Sequence, residues 1–152
     1  MSVIIQGNQL REIALGRGVV SKASGTLDED VVVSLFTVAG GEVLITALWA
    51  KVTTAITVAN TVTVQANPTT GDTAVFVTGD LGTTDTAAGT VLGGNKQTDG
   101  ATDWQRNGPP IDAIVSTGTV ELDSAGTTVD GAMTVYCTWI PLTDGATLVA
   151  SA

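Results

Sequence analysis

The stretch from Ala132 to Gly145, AMTVYCTWIPLTDG, constrains the fold more than any other part of the chain. Met133, Val135, Cys137 and Trp139 fall on one side of a two-residue repeat, while Ala132, Thr134, Tyr136, Thr138 and Ile140 fall on the other. Successive side chains of a strand point to opposite faces, so the pattern predicts a strand whose Met133 side is buried. Pro141 has no N–H to give to a ladder and Asp144-Gly145 supplies turn chemistry, so regular pairing is expected to end there. The Tyr136 and Ile140 side is the discriminating one. An isolated domain can leave it wet, whereas an assembling subunit covers at least part of it.

Other segments repeat the theme. Val31 to Val38 (VVVSLFTV) and Val43 to Thr53 (VLITALWAKVT) are β-branched runs on either side of Ala39-Gly40-Gly41-Glu42, which predicts a hairpin. Strict alternation in the second run puts Val43, Ile45, Ala47 and Trp49 on one face and Leu44, Leu48 and Val52 on the other. A strand apolar on both sides belongs at the centre of a sandwich or in an interface. Thr54 to Ala66 and Thr73 to Thr78, joined through Asn67-Pro68 and Thr69 to Asp72, predict a second hairpin with Val75 and Val77 on one face. Residues 79–110 lack periodicity and read as a long loop, followed by short strands at Ile111 to Ser116 and Thr119 to Leu122. The fold class is therefore all-β, a single β-sandwich or jelly-roll-like domain over residues 28–152. Residues 1–27 read as an extended N-terminal arm, with Ser21 to Gly25 as loop.

Composition narrows the function. Charged residues make up 14% of the 152, against about a quarter in ordinary soluble chains, and mean hydropathy is +0.34. The surplus apolar content must enter a core or a subunit interface. No apolar run approaches the roughly 18 residues a membrane span needs, so no membrane partner is expected. A net charge of −9 would repel a phosphate backbone, so nucleic acid is not an expected partner either. The chain has no histidine, which removes the Ser-His-Asp and Cys-His arrangements and the commonest zinc ligand.

Chemistry-bearing patterns are sparse. Asp28-Glu29-Asp30, Asp80 with Asp85, and Asp99 with Asp103 do not follow calcium-loop spacing, and Gly93-Gly94-Asn95-Lys96 is not a phosphate loop. No cofactor or metal is expected, and no catalytic residue; a carboxylate-dependent hydrolase built on Asp99 and Asp103 is a distant reading. Cys137 is the single cysteine and lies on the inward side, so an inert buried thiol is expected. The N-terminus lacks a signal-peptide pattern, which points to synthesis in a cytoplasm.

Residues suited to partner binding are easier to name. Residues 1–27 carry Arg11, Arg17 and Lys22 against Glu12, whereas residues 28–152 hold three basic and fourteen acidic residues. A basic arm on an acidic body can clasp a neighbouring copy through Arg11 and Arg17, or pack on its own domain. Leu44, Leu48 and Tyr136 would contribute the apolar part of an interface. Trp104 and Arg106 belong to the residue types that dominate binding surfaces, though Trp104 can equally cap the domain while Arg106 neutralises nearby aspartates.

Three pieces carry a family resemblance: Val64-Gln65-Ala66-Asn67-Pro68-Thr69-Thr70-Gly71-Asp72, Gly118-Thr119-Val120-Glu121-Leu122, and Trp139-Ile140-Pro141-Leu142-Thr143-Asp144-Gly145-Ala146. Together they resemble the small β-sandwich structural proteins of tailed bacteriophages. The resemblance implies a capsid decoration, or cement, protein. Such a protein is made in the host cytoplasm, sits on the virion capsid surface, and binds the major capsid protein as a homo-oligomer, often a trimer. A second expectation is a receptor- or glycan-binding module of a phage tail or surface appendage, using Trp104, Arg106 and the neighbouring aspartates.

Overall fold

The computed structural model describes residues 19–96 and 102–152, together with Gly7 and Leu10, both exposed. Arg11, Arg17 and Asp99 lie outside the described residues, as does the rest of the expected arm up to residue 18 apart from Gly7 and Leu10. Eleven strands form among the described residues: β1 (Val19–Thr26), β2 (Val31–Ala39), β3 (Val43–Thr54), β4 (Asn60–Pro68), β5 (Ala74–Asp80), β6 (Val91–Lys96), β7 (Thr102–Arg106), β8 (Ile111–Val115), β9 (Gly118–Gly126), β10 (Ala132–Pro141) and β11 (Thr147–Ala150). They make one continuous sheet in the order β1-β10-β3-β6-β7-β5-β4-β9-β2-β11, with β8 paired to β3. Its two ends come together. Lys22 Nζ donates to Ser151 O, Ser151 N donates to Leu35 O, and the Thr37 and Ser151 hydroxyls lie 2.9 Å apart. The protein is thus all-β, with its sheet curled nearly into a barrel, which leaves few strand edges open.

β10 behaves as its alternation predicts. Met133, Val135, Cys137 and Trp139 are buried, and Thr134, Tyr136, Thr138 and Ile140 are half-buried on the outer side. Its neighbours are β1 and β3, both antiparallel. The core fills the barrel with Leu35, Phe36, Leu48, Leu122 and Met133, none more than 1% exposed. Each fully buried aliphatic or phenyl side chain of this kind contributes about 1.5–3 kcal/mol of transfer free energy.

β3 departs from strict alternation. Its buried positions are Val43 and Ile45, then Leu48, Ala50 and Val52. Trp139 pairs with Ile45 and Thr138 with Ala47, so β3 carries an extra residue at Thr46 and its faces exchange there. This is a β-bulge, and it also bends the sheet. The strand therefore has one apolar inner face, and Leu48, expected beside Leu44 on a partner-facing side, belongs to the core. Related register shifts occur in β2 between Ser34 and Phe36, and in the pairing of β5 between Val77 and Val75. The latter buries both Phe76 and Val77 and leaves Val75 exposed, so Val75 and Val77 do not share a face.

Three other expectations change. β2 and β3 do not pair with each other: β2 lies between β9 and β11, while β3 joins β10, β6 and β8. Gly40 and Gly41, at φ +78° and +133°, turn the chain across the barrel instead of closing a hairpin. Residues 79–110 contain the antiparallel pair β6 and β7, whose Gly93-Gly94 and Asp103-Trp104-Gln105-Arg106 carry no hydrophobic alternation to announce them. Ser21 to Gly25, expected as loop within the arm, belong to β1, which pairs with β10. The β4–β5 hairpin is as predicted.

Candidate functional site

The bulge at Thr46 decides which side chains of β3 look outward. Before it, Leu44 is outward; after it, Trp49 and Lys51 are. Register then assembles a surface across β8, β3, β10 and β1. Leu44 lies between Ile114 of β8 and Ile140 of β10, and Trp49 lies opposite Tyr136, whose other neighbour is Ser21 of β1. The Trp49 and Tyr136 rings stack with centroids 5.4 Å apart and planes 7° from parallel. Such a pair contributes about 0.5–1.5 kcal/mol beyond the area it covers, so each ring fixes the other's position. Thr46 and Thr138 hydroxyls, 2.8 Å apart, tie the centre of the face. Ile114 is 67% exposed and Val19, at the β1 edge opposite Thr138, is 63% exposed. Among the outward positions of these strands only Lys51 and Asp112 are charged, since Lys22 of β1 is on the inner side opposite Val135.

Across the barrel the outer side of β2, β9, β4 and β5 is mostly polar, with Val32 and Val75 as exposed apolar residues within it. Ser34, Glu121 and Gln65 lie in one cross-strand row, and Asp123, Thr63 and Thr78 in the next. Glu121 Oε1 accepts from Thr119 Oγ1 at 2.6 Å and from Asn67 Nδ2 at 3.2 Å, while the Thr63 and Thr78 hydroxyls meet at 2.7 Å. The protein is therefore two-sided, with an aromatic and aliphatic face on one side and a hydrogen-bonded acidic face on the other.

A second feature lies at one end of the barrel. By register Trp104 and Arg106 share a face with the core residue Leu92; Trp104 turns inward, while Arg106 at the end of β7 stays exposed. Trp104 is half-buried against the core and its Nε1 donates to Val62 O at 2.8 Å. Arg106 Nη2 donates to Thr84 O, Asp85 O and Thr86 Oγ1, each at 3.1 Å, and so ties β7 to the 81–86 turn. Asp80 closes that turn from the other side. Its carboxylate accepts from Gly82 N and Thr83 N at 2.9 Å and from Thr83 Oγ1 at 2.8 Å. The Thr83 and Gly82 donors hold the Asp80 carboxyl below the usual carboxylate range. Gly93 allows the chain after β7 to close over β6, since a Cβ there would lie 2.2 Å from Gly108 O. The result is a cleft of about 320 Å³ between this turn and β7.

The residues singled out in the sequence are thus dispersed. Leu44 and Tyr136 share the apolar face; Leu48 is core; Trp104 and Arg106 belong to the end cleft; Arg11 and Arg17 lie outside the described residues. Trp49, Ile114 and Asp80 are additions. Ile114 was readable, because it alternates with Ile111, Ala113 and Val115 and shares a side with Asp112. Trp49 was not, because nothing local marks the bulge that turns it outward. Among the described residues no group of three or more cysteine, aspartate or glutamate side chains is placed to hold a metal ion. Burial pushes the Cys137 thiol up to about 12. Comparison of the chain with models of known families, with curated proteins and with solved structures gives no match.

Proposed function

We propose that this protein is a virion structural protein that decorates or cements a phage capsid, docking as a homo-oligomer on the major capsid protein. The observation that carries the reading is the contrast between the two outer sides of the barrel. Leu44, Trp49, Ile114, Tyr136 and Ile140 form a nearly uncharged face on a protein of net charge −9. Patches of this kind mark association sites, because their burial releases water while the charged side keeps the assembly soluble. The motif resemblance supplies the identity of the partner and favours a trimer on the capsid surface. Its sandwich description would correspond to the two opposed halves of the curled sheet, β8-β3-β10-β1 facing β5-β4-β9-β2.

A standard interface buries on the order of 1,600 Å², and repetition over a lattice makes modest individual contacts collectively strong. The test combines native mass with co-sedimentation on purified heads. The expected result is a discrete oligomer that pellets with heads, and loss of pelleting in Ile114→Glu with its thermal transition kept. A monodisperse monomer that ignores heads would overturn the reading, as would Ile114→Glu pelleting like the parent.

A further inference from the structure

We propose that the cleft between β7 and the 80–86 turn is a binding site for a neutral saccharide ring. Its residues are separate from the apolar face, so the inference stands independently of capsid docking. The cleft lies at one end of a near-closed barrel, a position where pockets recur, and its volume of about 320 Å³ matches the lower end of small-ligand sites.

Its lining has two zones. Leu92 and Trp104 give an apolar floor, and Leu92 is otherwise part of the core. Asp80, Thr83, Thr84 and Arg106 give a polar rim. A pyranose has the matching pattern, with an apolar C–H face and a belt of hydroxyls that both donate and accept. The rim offers both partners. Arg106 uses Nη2 on the turn, and its Nε and Nη1 donors make no hydrogen bond to the described residues. Asp80, Thr83 and Thr84 supply acceptor oxygens.

The rim is also set before a ligand arrives. Asp80 is fixed by three donors from Gly82 and Thr83, and Arg106 by three acceptors from residues 84–86, so neither must be ordered on binding. Charge selects against an anionic sugar. The Asp80 carboxylate faces the same cleft as Arg106, and the chain as a whole is acidic. A ring of about a dozen heavy atoms at ordinary ligand efficiency binds with a dissociation constant on the order of 1 mM.

The experiment titrates the ¹⁵N-labelled full chain with the methyl pyranosides of glucose, galactose, mannose and N-acetylglucosamine, with sodium glucuronate and glycerol alongside. Shifts confined to residues 80–86, the Trp104 indole N–H and residues 104–108, from at least one neutral pyranoside, are expected. Thr84→Trp fills the cleft from an exposed position while leaving the backbone oxygen that Arg106 uses, and it should weaken binding about tenfold or more. Arg106→Ala should do the same, with the turn loosened. Unchanged spectra with every pyranoside would overturn the proposal. So would shifts that survive Thr84→Trp, glycerol acting like the sugars, or glucuronate binding more tightly than the neutral rings.

Discussion

Replacing Leu44 and Leu48 separately by alanine tests the bulge in β3 directly. Strict alternation makes the two residues equivalent, on one face of one strand, whereas the structure places Leu48 at 0% exposure and Leu44 half-exposed outside. Leu48→Ala removes methylenes from a site enclosed by β10 and β8, with Cys137 and Ile111 as its register partners. Transfer and cavity terms together make such a change cost about 3–4 kcal/mol. Leu44→Ala forfeits part of a contact with Ile114 and Ile140 and opens no cavity, so roughly half the transfer term, about 1 kcal/mol, is lost. The difference of about 2–3 kcal/mol corresponds to about 4–12 °C in Tm for a domain of this size. Urea titration followed by tryptophan fluorescence resolves it, with midpoints separated by about 1–2 M if the slope is ordinary for such a chain. Equal losses, or a larger loss in Leu44→Ala, would refute the bulge and restore strict alternation.

Two further outcomes follow from titratable groups. Asp130 accepts hydrogen bonds from the backbone N–H groups of Thr57 and Val58, which lower its carboxyl below the ordinary aspartate value of 3.8. A folded-state value below the unfolded one gives stability that is present above pH 3.8 and lost as pH falls through the folded value. Asp130→Asn should therefore melt below the parent at neutral pH, with the gap closing as the pH falls through the lowered folded-state value; a gap independent of pH would refute this. Cys137, raised from 9.0 to about 12 by burial, should resist a disulfide reagent at pH 8 until the chain is unfolded. Its contribution is complete below pH 9.0 and declines as pH rises towards 12. Stoichiometric labelling of the native protein faster than global unfolding would contradict the burial.

Local periodicity made β10 legible because every residue from Ala132 to Ile140 keeps one phase while its neighbours pair without constraint from its own sequence. The same reasoning failed in β3 because the extra residue at Thr46 is imposed by partners on both sides, Thr138 in β10 and the Ala113 to Ile111 step in β8. A bulge is a statement about two strands, and a single-strand pattern does not contain it. β6 and β7 were invisible for another reason. Their stability rests on backbone pairing and on the Trp104 and Arg106 anchors, with glycines at 93 and 94 in place of alternating apolar side chains. The connection at Gly40-Gly41 has hairpin composition yet joins strands that never pair, so turn residues fixed where the chain bends but not what it bends towards.

The failures and the candidate sites have a common cause. Without the extra residue at Thr46, continued alternation from Val43 and Ile45 would carry Ala47 and Trp49 inward and leave Leu48 outward. The bulge sends the indole out to stack on Tyr136 and brings Leu48 into the core opposite Cys137. It thus stabilises the barrel and creates the aromatic face in one step. In β7 the phase that half-buries Trp104 also sets Arg106 on the same face, where the 80–86 turn meets them. Both surfaces arise where curvature redirects side chains, because a sheet that must nearly close cannot keep every strand in simple phase. A flat two-layer sandwich with unbroken alternation in β3 would have buried Trp49, and would have no aromatic face.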